Sequence, residues 1–234
     1  MKITYLGHSG FSVETEKFNF IFDYYTGEIP DLPQGKDTFV FVSHNHYDHM
    51  NPDIFNICRV MKNVRYVLSS DVPASLPERF GVREYIAVDP GRNLRLETKG
   101  GRLKIKTLHS TDAGVAFLIM TEKETIFHAG DLSLWLWDGM SESEVYGMTN
   151  AYKQYTSVLR NYVIDVAFLT LDNRQEQYAF LNIDYYMRHF NIKNCIPMHY
   201  FGSTKICDAL KDSDMSMDYR DRIIKLKPFR YVNI

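Results

Sequence analysis

Apolar residues occur in two different patterns along the chain. As far as Asp131, short segments rich in Val, Ile, Phe and Tyr alternate with turn residues such as Gly, Pro and Asp. Segments of this composition between turns are typical of β-strands. The pattern predicts strands at Lys2 to Leu6, Phe11 to Thr15, Phe18 to Tyr24, Thr38 to Ser43, Val64 to Ser69, Glu84 to Val88, Asn93 to Thr98, Leu103 to Leu108, Val115 to Thr121 and Thr125 to His128.

After Asp131 the pattern changes to alternating helices and strands. Ser141 and Glu144 have the spacing of a capping box, and apolar residues then follow at roughly helical spacing. Two strand-rich layers with helices outside them would use all the elements, which predicts one layered α/β domain over residues 1–234. The remaining elements are strands at Val163 to Leu171 and Cys195 to Met198, and helices at Gln175 to Phe190 and Lys205 to Met217.

The charge of the chain argues against a polyanionic partner. It has 27 Lys and Arg residues against 29 Asp and Glu, so no global positive field would attract nucleic acid. A basic cluster between Arg220 and Arg230 alternates with apolar residues, as the solvated side of a terminal strand would. No stretch is long and apolar enough to span a bilayer, and the residues after Met1 do not resemble a leader, so we expect a cytoplasmic protein with no membrane partner.

Four potential metal ligands lie together directly after a predicted buried strand. They are His44, His46, Asp48 and His49. Three of the chain's 8 histidines are found here, which a polar loop that merely caps a helix near Asn51 does not explain. Imidazole and carboxylate ligands suit zinc, manganese or iron. His44 and His46 can face one ion while Asp48 and His49 face another.

The order of these ligands also resembles a known motif. HxHxDH is the signature of the metallo-β-lactamase superfamily, and residues 44–49 match it without departure. The resemblance implies a four-layer αββα sandwich with further ligands at later strand ends. It implies that His109 completes the first metal site, that His199 completes the second, and that Asp131 bridges the two ions. Gly130 would let the backbone turn sharply before Asp131.

Within the superfamily the chain resembles the branch that contains L-ascorbate-6-phosphate lactonase. The residues that carry this resemblance are Gly7 to Phe11 after the first strand and the short segment from His109 to Gly114. The compact C-terminal half is also similar. The branch implies a small-molecule hydrolase rather than an antibiotic-degrading β-lactamase.

The cofactors that the resemblance implies are two divalent metal ions, zinc first, with manganese or iron as alternatives. Two cations that share a water lower its pKa, so that a metal-bridging hydroxide forms near neutral pH, and one cation can polarise the substrate's oxygen. We therefore expect hydrolysis of a small anionic ester, lactone or phosphodiester. Asp48 is the expected catalytic residue, because it can orient the water and accept its proton, as is proposed for superfamily members.

Some polar residues near the motif or at strand ends are expected to orient the ligands. Metal-bound imidazoles usually donate their second N–H to a carboxylate, a carbonyl or water. For His8 and Asp23, an ordinary hydrogen bond within a turn is an equal alternative. The candidates are His8, Asp23, Ser43, Asp112 and His128.

Two tryptophans are candidates for the wall of the substrate pocket. Trp135 and Trp137 follow Asp131 closely, and an extended chain would place both indoles on one side. Burial in the core is the alternative, because tryptophans more often fill space than bind ligands.

One arginine is the candidate for binding an anionic group of the substrate. Arg174 follows a predicted buried strand, on the rim where His199 is also expected. A guanidinium can bind phosphate or carboxylate through two parallel hydrogen bonds. The alternative is an exposed arginine that pairs with Asp172 or Glu176.

Three other functions remain open on the same scaffold. A nuclease would be expected to carry a basic surface or an added nucleic-acid module, and neither is visible in the sequence. Di-iron oxidoreductases of the superfamily resemble this chain in fold, but they have a carboxylate where His46 stands here, and they carry a flavin domain. A non-catalytic metal-binding protein would not need the complete ligand set.

Overall fold

The computed structural model describes residues 1–201 and 203–234, and its strands form two large sheets. One sheet has the order β15-β1-β2-β3-β4-β5-β6, the other the order β14-β12-β10-β9-β8-β7, and β11 pairs with β13. In chain order the strands are β1 (Lys2–Gly7), β2 (Gly10–Glu14), β3 (Phe18–Phe22), β4 (Asp37–Val42), β5 (Val64–Ser69), β6 (Ile86–Val88), β7 (Asn93–Thr98), β8 (Gly101–His109), β9 (Val115–Met120), β10 (Thr125–His128), β11 (Val163–Ile164), β12 (Val166–Thr170), β13 (Asn191–Ile192), β14 (Cys195–Met198) and β15 (Tyr231–Asn233).

The helices lie on the outer faces of the two sheets. Short 3-10 helices accompany them at Pro52–Arg59, Ser157–Asn161, Asn173–Tyr178, Asp214–Ser216 and Arg220–Arg222. The α-helices are α1 (Ser75–Arg79), α2 (Glu142–Thr156), α3 (Leu181–His189) and α4 (Lys205–Asp212).

Strand β4 illustrates why the molecule has four layers. Both faces of this strand are buried, and successive side chains point to opposite faces of a sheet. Phe39 and Phe41 face the core between the two sheets, whereas Val40 and Val42 pack against the 3-10 helix Pro52–Arg59 and the region of α1. Helices α2, α3 and α4 pack on the second sheet. The predicted αββα sandwich is confirmed.

Parallel pairing brings the functional strand ends to one edge. Strands β3, β4, β5 and β6 are parallel neighbours in the first sheet. Strands β10, β12 and β14 are parallel neighbours in the second. The carboxyl ends of parallel strands lie at the same edge of a sheet, which is where ligands bind in α/β folds.

The C-terminal half departs from the predicted elements in several places, and the helix predicted from Lys205 to Met217 ends at Asp212 as α4. The apolar run at 163–171 is interrupted at Asp165, whose carboxylate accepts a hydrogen bond from the Thr125 backbone N–H at 2.8 Å, so it forms β11 and β12. The helix predicted from Gln175 is a 3-10 helix followed by α3, because Glu176 has a φ of 50°. The predicted capping box at Ser141 and Glu144 is confirmed.

The prediction of a strand between Arg220 and Arg230 is wrong. The segment begins as a 3-10 helix, Ile223 forms an isolated parallel bridge with Cys195, and a regular strand begins only at β15. Arg222 and Arg220 donate to the backbone carbonyls of Ile192 and Ser213, at 2.8 and 2.9 Å, so these side chains tie the segment to neighbouring elements. In the part of the chain that the structure describes, no helix has the length and apolar character needed to cross a membrane.

Candidate metal centre

Histidines and aspartates from both sheets meet at the shared edge. The motif residues 44–49 follow β4, Asp131 follows β10, and His199 follows β14. His8, Asp23 and His199 have left-handed backbones, with φ values of 52°, 38° and 67°. Such conformations cost on the order of 1–3 kcal/mol for residues other than glycine and tend to cluster at functional sites.

The candidate ligand atoms form two groups. The inner group consists of His8, Asp48, His49 and His199, and the outer group consists of His44, His46 and Asp131. Within each group, every residue offers a ligand atom within 4.8 Å of the others. Asp131 also joins the two groups, because its carboxylate lies 3.2 Å from His49 Nε2 and 3.5 Å from His44 Nε2.

Several of these buried ligand atoms lack hydrogen-bond partners. Among the described residues, the Nε2 atoms of His8, His44 and His49 and Oδ1 of Asp131 are buried and unpaired. An unsatisfied buried polar atom costs about 1–3 kcal/mol, and one metal-binding site at this place would give all four atoms a partner. Imidazole nitrogens and carboxylate oxygens are the ligands that zinc, manganese and iron accept. The residues therefore fit a metal centre.

One buried carboxylate orients histidines of both groups. Asp23 accepts hydrogen bonds from the Ser43 backbone N–H at 2.7 Å, from Ser43 Oγ at 2.6 Å and from His49 Nδ1 at 2.8 Å. Ser43 Oγ in turn lies 3.0 Å from His44 Nδ1, from which it can accept. Both rings are thereby held with Nε2 toward the centre. Asp23 and Ser43 lie where the sequence analysis placed them.

A second orienting carboxylate was not predicted from the sequence. Asp172 follows β12 and accepts from His199 Nδ1 at 3.1 Å. It also binds Arg174, whose Nε lies 2.9 Å from Oδ1. The sequence analysis named Asp172 only as a partner of Arg174. An acid at the end of a buried parallel strand, beside the strand that ends in His199, was the signal that could have identified it.

Two further residues that were expected to orient ligands, His128 and Asp112, have different roles. His128 donates through Nε2 to the Ser9 carbonyl at 2.9 Å and accepts through Nδ1 from the Gly130 N–H at 3.2 Å, so it fixes the turn that leads to Asp131. Burial lowers the pKa of His128, which agrees with a neutral ring. Asp112 is exposed on the rim of the cleft.

Charge is unevenly distributed among the histidines. Burial and the neighbouring His49 lower the pKa of His44 to about 4. Burial acts in the same direction on His49, but the carboxylates of Asp131 and Asp23 outweigh it and raise the pKa of His49 to about 10. In the metal-free protein His44 is thus ready to bind a metal, whereas His49 must release a proton first.

Two glycines allow the metal-binding loop to pack closely. Gly114 has a φ of 65°, and a Cβ there would lie 2.0 Å from the Ser43 carbonyl oxygen. Gly130 has a φ of 51°, and a Cβ there would lie 2.9 Å from Ser43 Cβ. The sharp turn expected at Gly130 is confirmed.

The centre opens into a cleft of about 650 Å³, and Trp135 and Trp137 line it. Their rings are parallel, with centroids 6.1 Å apart. Trp135 is 8% exposed and donates from Nε1 to the Asp131 carbonyl at 3.0 Å, whereas Trp137 is 38% exposed. Trp135 is therefore buried and also lines the cleft, so burial in the core and a place in the pocket wall are compatible for this residue.

Arg174 also lines the cleft. Its guanidinium pairs with Asp172 and lies over the ring of Phe201, 4.4 Å from the centroid. Half of its side chain is exposed. The ion pair with Asp172 that was expected as an alternative thus exists, and it holds the Arg174 guanidinium at the cleft.

His109 does not join the other predicted ligands. It ends β8, as expected, but its exposed ring stacks on Tyr155 of α2 with centroids 4.9 Å apart. Neither ligand group includes it, while His8 contributes to the inner group. In this structure His109 lies outside both ligand groups because its ring stacks on the outer helix, and its role as a ligand stays a prediction.

Two stacked sheets that collect histidines and aspartates at one edge, inside layers of helices, define a metal-binding sandwich of the metallo-β-lactamase type. A family model described as the beta-lactamase superfamily domain matches residues 2–139, which is more than half of the chain. The chain therefore belongs to this superfamily.

Individual relatives agree with this assignment. A UPF0173 metal-dependent hydrolase of Caldivirga maquilingensis is 27% identical, over 99% of this chain and 97% of its own length. The metallo hydrolase Igni18 of Ignicoccus hospitalis has a TM-score of 0.68 at 18% identity, covering 99% of this chain and 97% of that one. CmlA, a diiron β-hydroxylase of Streptomyces venezuelae, has a TM-score of 0.66 at 14% identity, covering 100% of this chain and 54% of its own. The two structural likenesses show the fold alone, and the lactonase branch stays a prediction.

Proposed function

We propose that the chain is a hydrolase that uses two divalent metal ions. Asp48, His49 and His199 hold one ion, His44 and His46 hold the other, and Asp131 lies between them. The observation that carries the proposal is the convergence of buried, unpaired ligand atoms at a cleft. Two bound cations would supply a water of lowered pKa and would polarise the oxygen of the scissile group.

Asp48 is the proposed proton acceptor. Its side chain is partly exposed and lines the cleft. Burial raises the pKa of Asp48, but the nearby imidazoles of His8 and His49 outweigh this effect and hold the pKa well below its usual range. The carboxylate is therefore ionised at neutral pH and can accept a hydrogen bond from the attacking water. Because a lowered pKa makes it a weak base, the proposed proton transfer would depend on the acidity that bound metal ions give to that water.

The proposed substrate is a small anionic ester, lactone or phosphodiester. The cleft has the size of a small-molecule site. Arg174 supplies a fixed positive charge there, and Trp137 offers an exposed aromatic face. A cleft of this kind suits the sugar-phosphate lactones implied by the resemblance to the lactonase branch. The net charge of −2 gives no support to RNA as the substrate.

A substrate panel with metal-loaded and chelated protein tests the proposal. The panel contains phosphorylated sugar lactones, aryl phosphodiesters and aryl esters, with a β-lactam and RNA as comparators. We expect hydrolysis of anionic small molecules only with metal, and recovery when zinc, manganese or iron is returned. Full activity after chelation would contradict the metal mechanism. Cleavage of RNA alone would favour the nuclease, and oxygen consumption with iron would favour an oxidoreductase.

Arg174→Ala tests the selection of charge. Loss of a charge-assisted contact should raise KM for an anionic substrate by roughly tenfold or more, with little change for a neutral analogue of the same leaving group. Arg160→Ala, which removes an exposed arginine outside the cleft, is the control. Equal losses on both substrates would assign Arg174 a structural role through Asp172. An unchanged KM would remove it from the site.

A further inference from the structure

His8 is a buried histidine beside the proposed ligands that the proposed ligand set does not use. It lies in the turn between β1 and β2 with a φ of 52°. Its carbonyl accepts hydrogen bonds from Tyr5 Oη at 3.0 Å and from the His199 backbone N–H at 3.0 Å. The strained turn is thereby fixed to the backbone of an inner-group ligand on the other sheet.

Packing also fixes the ring of His8. The ring centroid lies 4.2 Å from that of His199 and 4.6 Å from that of Phe201. The side chain is only 5% exposed. The ring therefore has little freedom to turn, and its Nε2 is buried without a hydrogen-bond partner among the described residues.

The Nε2 atom of His8 lies close to the other inner-group ligands. It lies 3.3 Å from Asp48 Oδ2, and a ring nitrogen of His8 is within 4.8 Å of ligand atoms of His49 and His199. Two ligands that bind one tetrahedral ion at 2.0–2.1 Å are about 3.4 Å apart. The contacts of Asp131 Oδ1 with His49 Nε2 and His199 Nε2, at 3.2 and 3.4 Å, have the same length. The position of His8 is thus that of a ligand.

We propose that His8 is a further protein ligand of the inner metal ion, beside Asp48, His49, His199 and the shared Asp131, and that the two ions are consequently held with unequal affinity. This inference rests on the proposed metal-dependent function. Four inner-group residues close the inner site, with Asp131 beside them. Among the residues that the structure describes, the outer site has His44, His46 and Asp131, and His46 is exposed to the cleft. Closed sites are typical of tightly held ions, and open sites are typical of ions that meet substrate.

Cobalt titration of the metal-free protein tests the inference on the intact chain. We expect two binding phases, the tight phase corresponding to the inner site. At one equivalent of Co²⁺, three shifted imidazole N–H proton resonances are expected in the NMR spectrum, from His8, His49 and His199. Two such resonances would overturn the role of His8 while leaving the hydrolase proposal intact. Absence of cobalt binding would contradict the hydrolase proposal itself.

Substitutions separate a ligand from a hydrogen-bonding partner of Asp48. His8→Gln keeps an N–H donor but removes the imidazole, and His8→Ala removes both. Loss of a ligand should weaken the tight phase by more than about 100-fold in both variants, since orienting partners alone account for 10- to 100-fold. Tight binding by His8→Gln, or by both variants, would overturn the inference. His189→Gln, at the exposed end of α3, is the matched control and should bind as the unsubstituted protein does.

Discussion

The inner and outer ligand groups differ in how firmly the protein holds them. In the inner group, carboxylates fix two imidazoles directly, Asp23 binding His49 and Asp172 binding His199. In the outer group, His44 reaches Asp23 only through Ser43. Burial differs at one residue, since His46 is exposed at the cleft whereas His44 and the inner histidines are buried.

This difference indicates a division of labour between the two metal sites. A ligand whose second N–H is held by a buried carboxylate keeps its direction and is more basic. An exposed imidazole such as His46 can adjust when a substrate arrives. The inner group would thus hold an ion permanently, and the outer group would present one to the substrate.

Removal of the Asp131 carboxylate, which contacts both groups, should have the largest effect on metal binding and hydrolysis. Asp131→Ala takes a ligand from the outer group and leaves His49 and His199 without their common neighbour. We expect loss of tight metal binding at both sites and of detectable hydrolysis. The fold should remain, because the core between the sheets does not involve this side chain. Metal content per chain and circular dichroism measure the two outcomes.

His46→Ala is the contrasting variant for that experiment. It affects only the outer group, so hydrolysis should also be lost while about one metal ion per chain remains. Retention of two ions in His46→Ala, or of full activity in Asp131→Ala, would contradict the division into two groups.

A methyl group added at Gly114, next to His44 of the outer group, should have the next largest effect on stability and metal binding. In Gly114→Ala the new Cβ would clash with the Ser43 carbonyl and with His44 Cβ, at 2.0 and 2.5 Å. We expect a loss of more than about 2 kcal/mol in the free energy of unfolding, since strain at φ 65° adds to the clash. Weaker metal binding at the outer site should accompany it.

Gly91→Ala separates the steric clash from the backbone strain, because it produces the strain alone. Gly91 has a φ of 78°, but a Cβ there would meet no atom within 4 Å beyond its chain neighbours. It should lose only about 1 kcal/mol from backbone strain and keep normal metal affinity. Equal effects of the two substitutions in denaturant titrations would rule out the close approach as the cause.

The sequence predicted the layers and most of the centre because both depend on local pattern. The continuous apolar run at 39–42 predicted a buried strand, and the density of ligands at 44–49 marked the centre. Asp23 and Ser43 were also identified, since they lie at the ends of neighbouring strands. These features need no knowledge of distant contacts.

The departures from the sequence prediction concern side-chain direction and pairing across elements. His109 stands at the predicted strand end, but Tyr155 of α2 determines where its ring lies. His8 is a single histidine in a turn, and only the fold brings it beside His199. Asp172 orients a histidine that is distant in the chain. None of these contacts leaves a periodic pattern in the sequence.

The two orienting carboxylates allow a more selective test of the comparison. Asp23→Asn should weaken metal binding at both sites by about 10- to 100-fold, since Asp23 holds His49 directly and His44 through Ser43. Asp172→Asn should weaken only the inner site, through His199. Competition with a chromophoric chelator measures both affinities. If Asp172→Asn weakened the outer site as much as the inner one, the two groups would not be separable.

The smallest effect is expected at His109, where the sequence and the structure disagree. With its ring stacked on Tyr155, His109 holds neither ion, so His109→Ala should change metal affinity at either site by less than about threefold, far below the cost of a lost orienting contact. Tyr155→Ala is the matched variant, because it frees the ring without removing it. If His109→Ala instead lost one ion while Tyr155→Ala bound that ion more tightly, the ring would leave the stack when metal binds. The outer group would then have the third histidine that the sequence predicted, and its weaker hold would reflect competition with Tyr155.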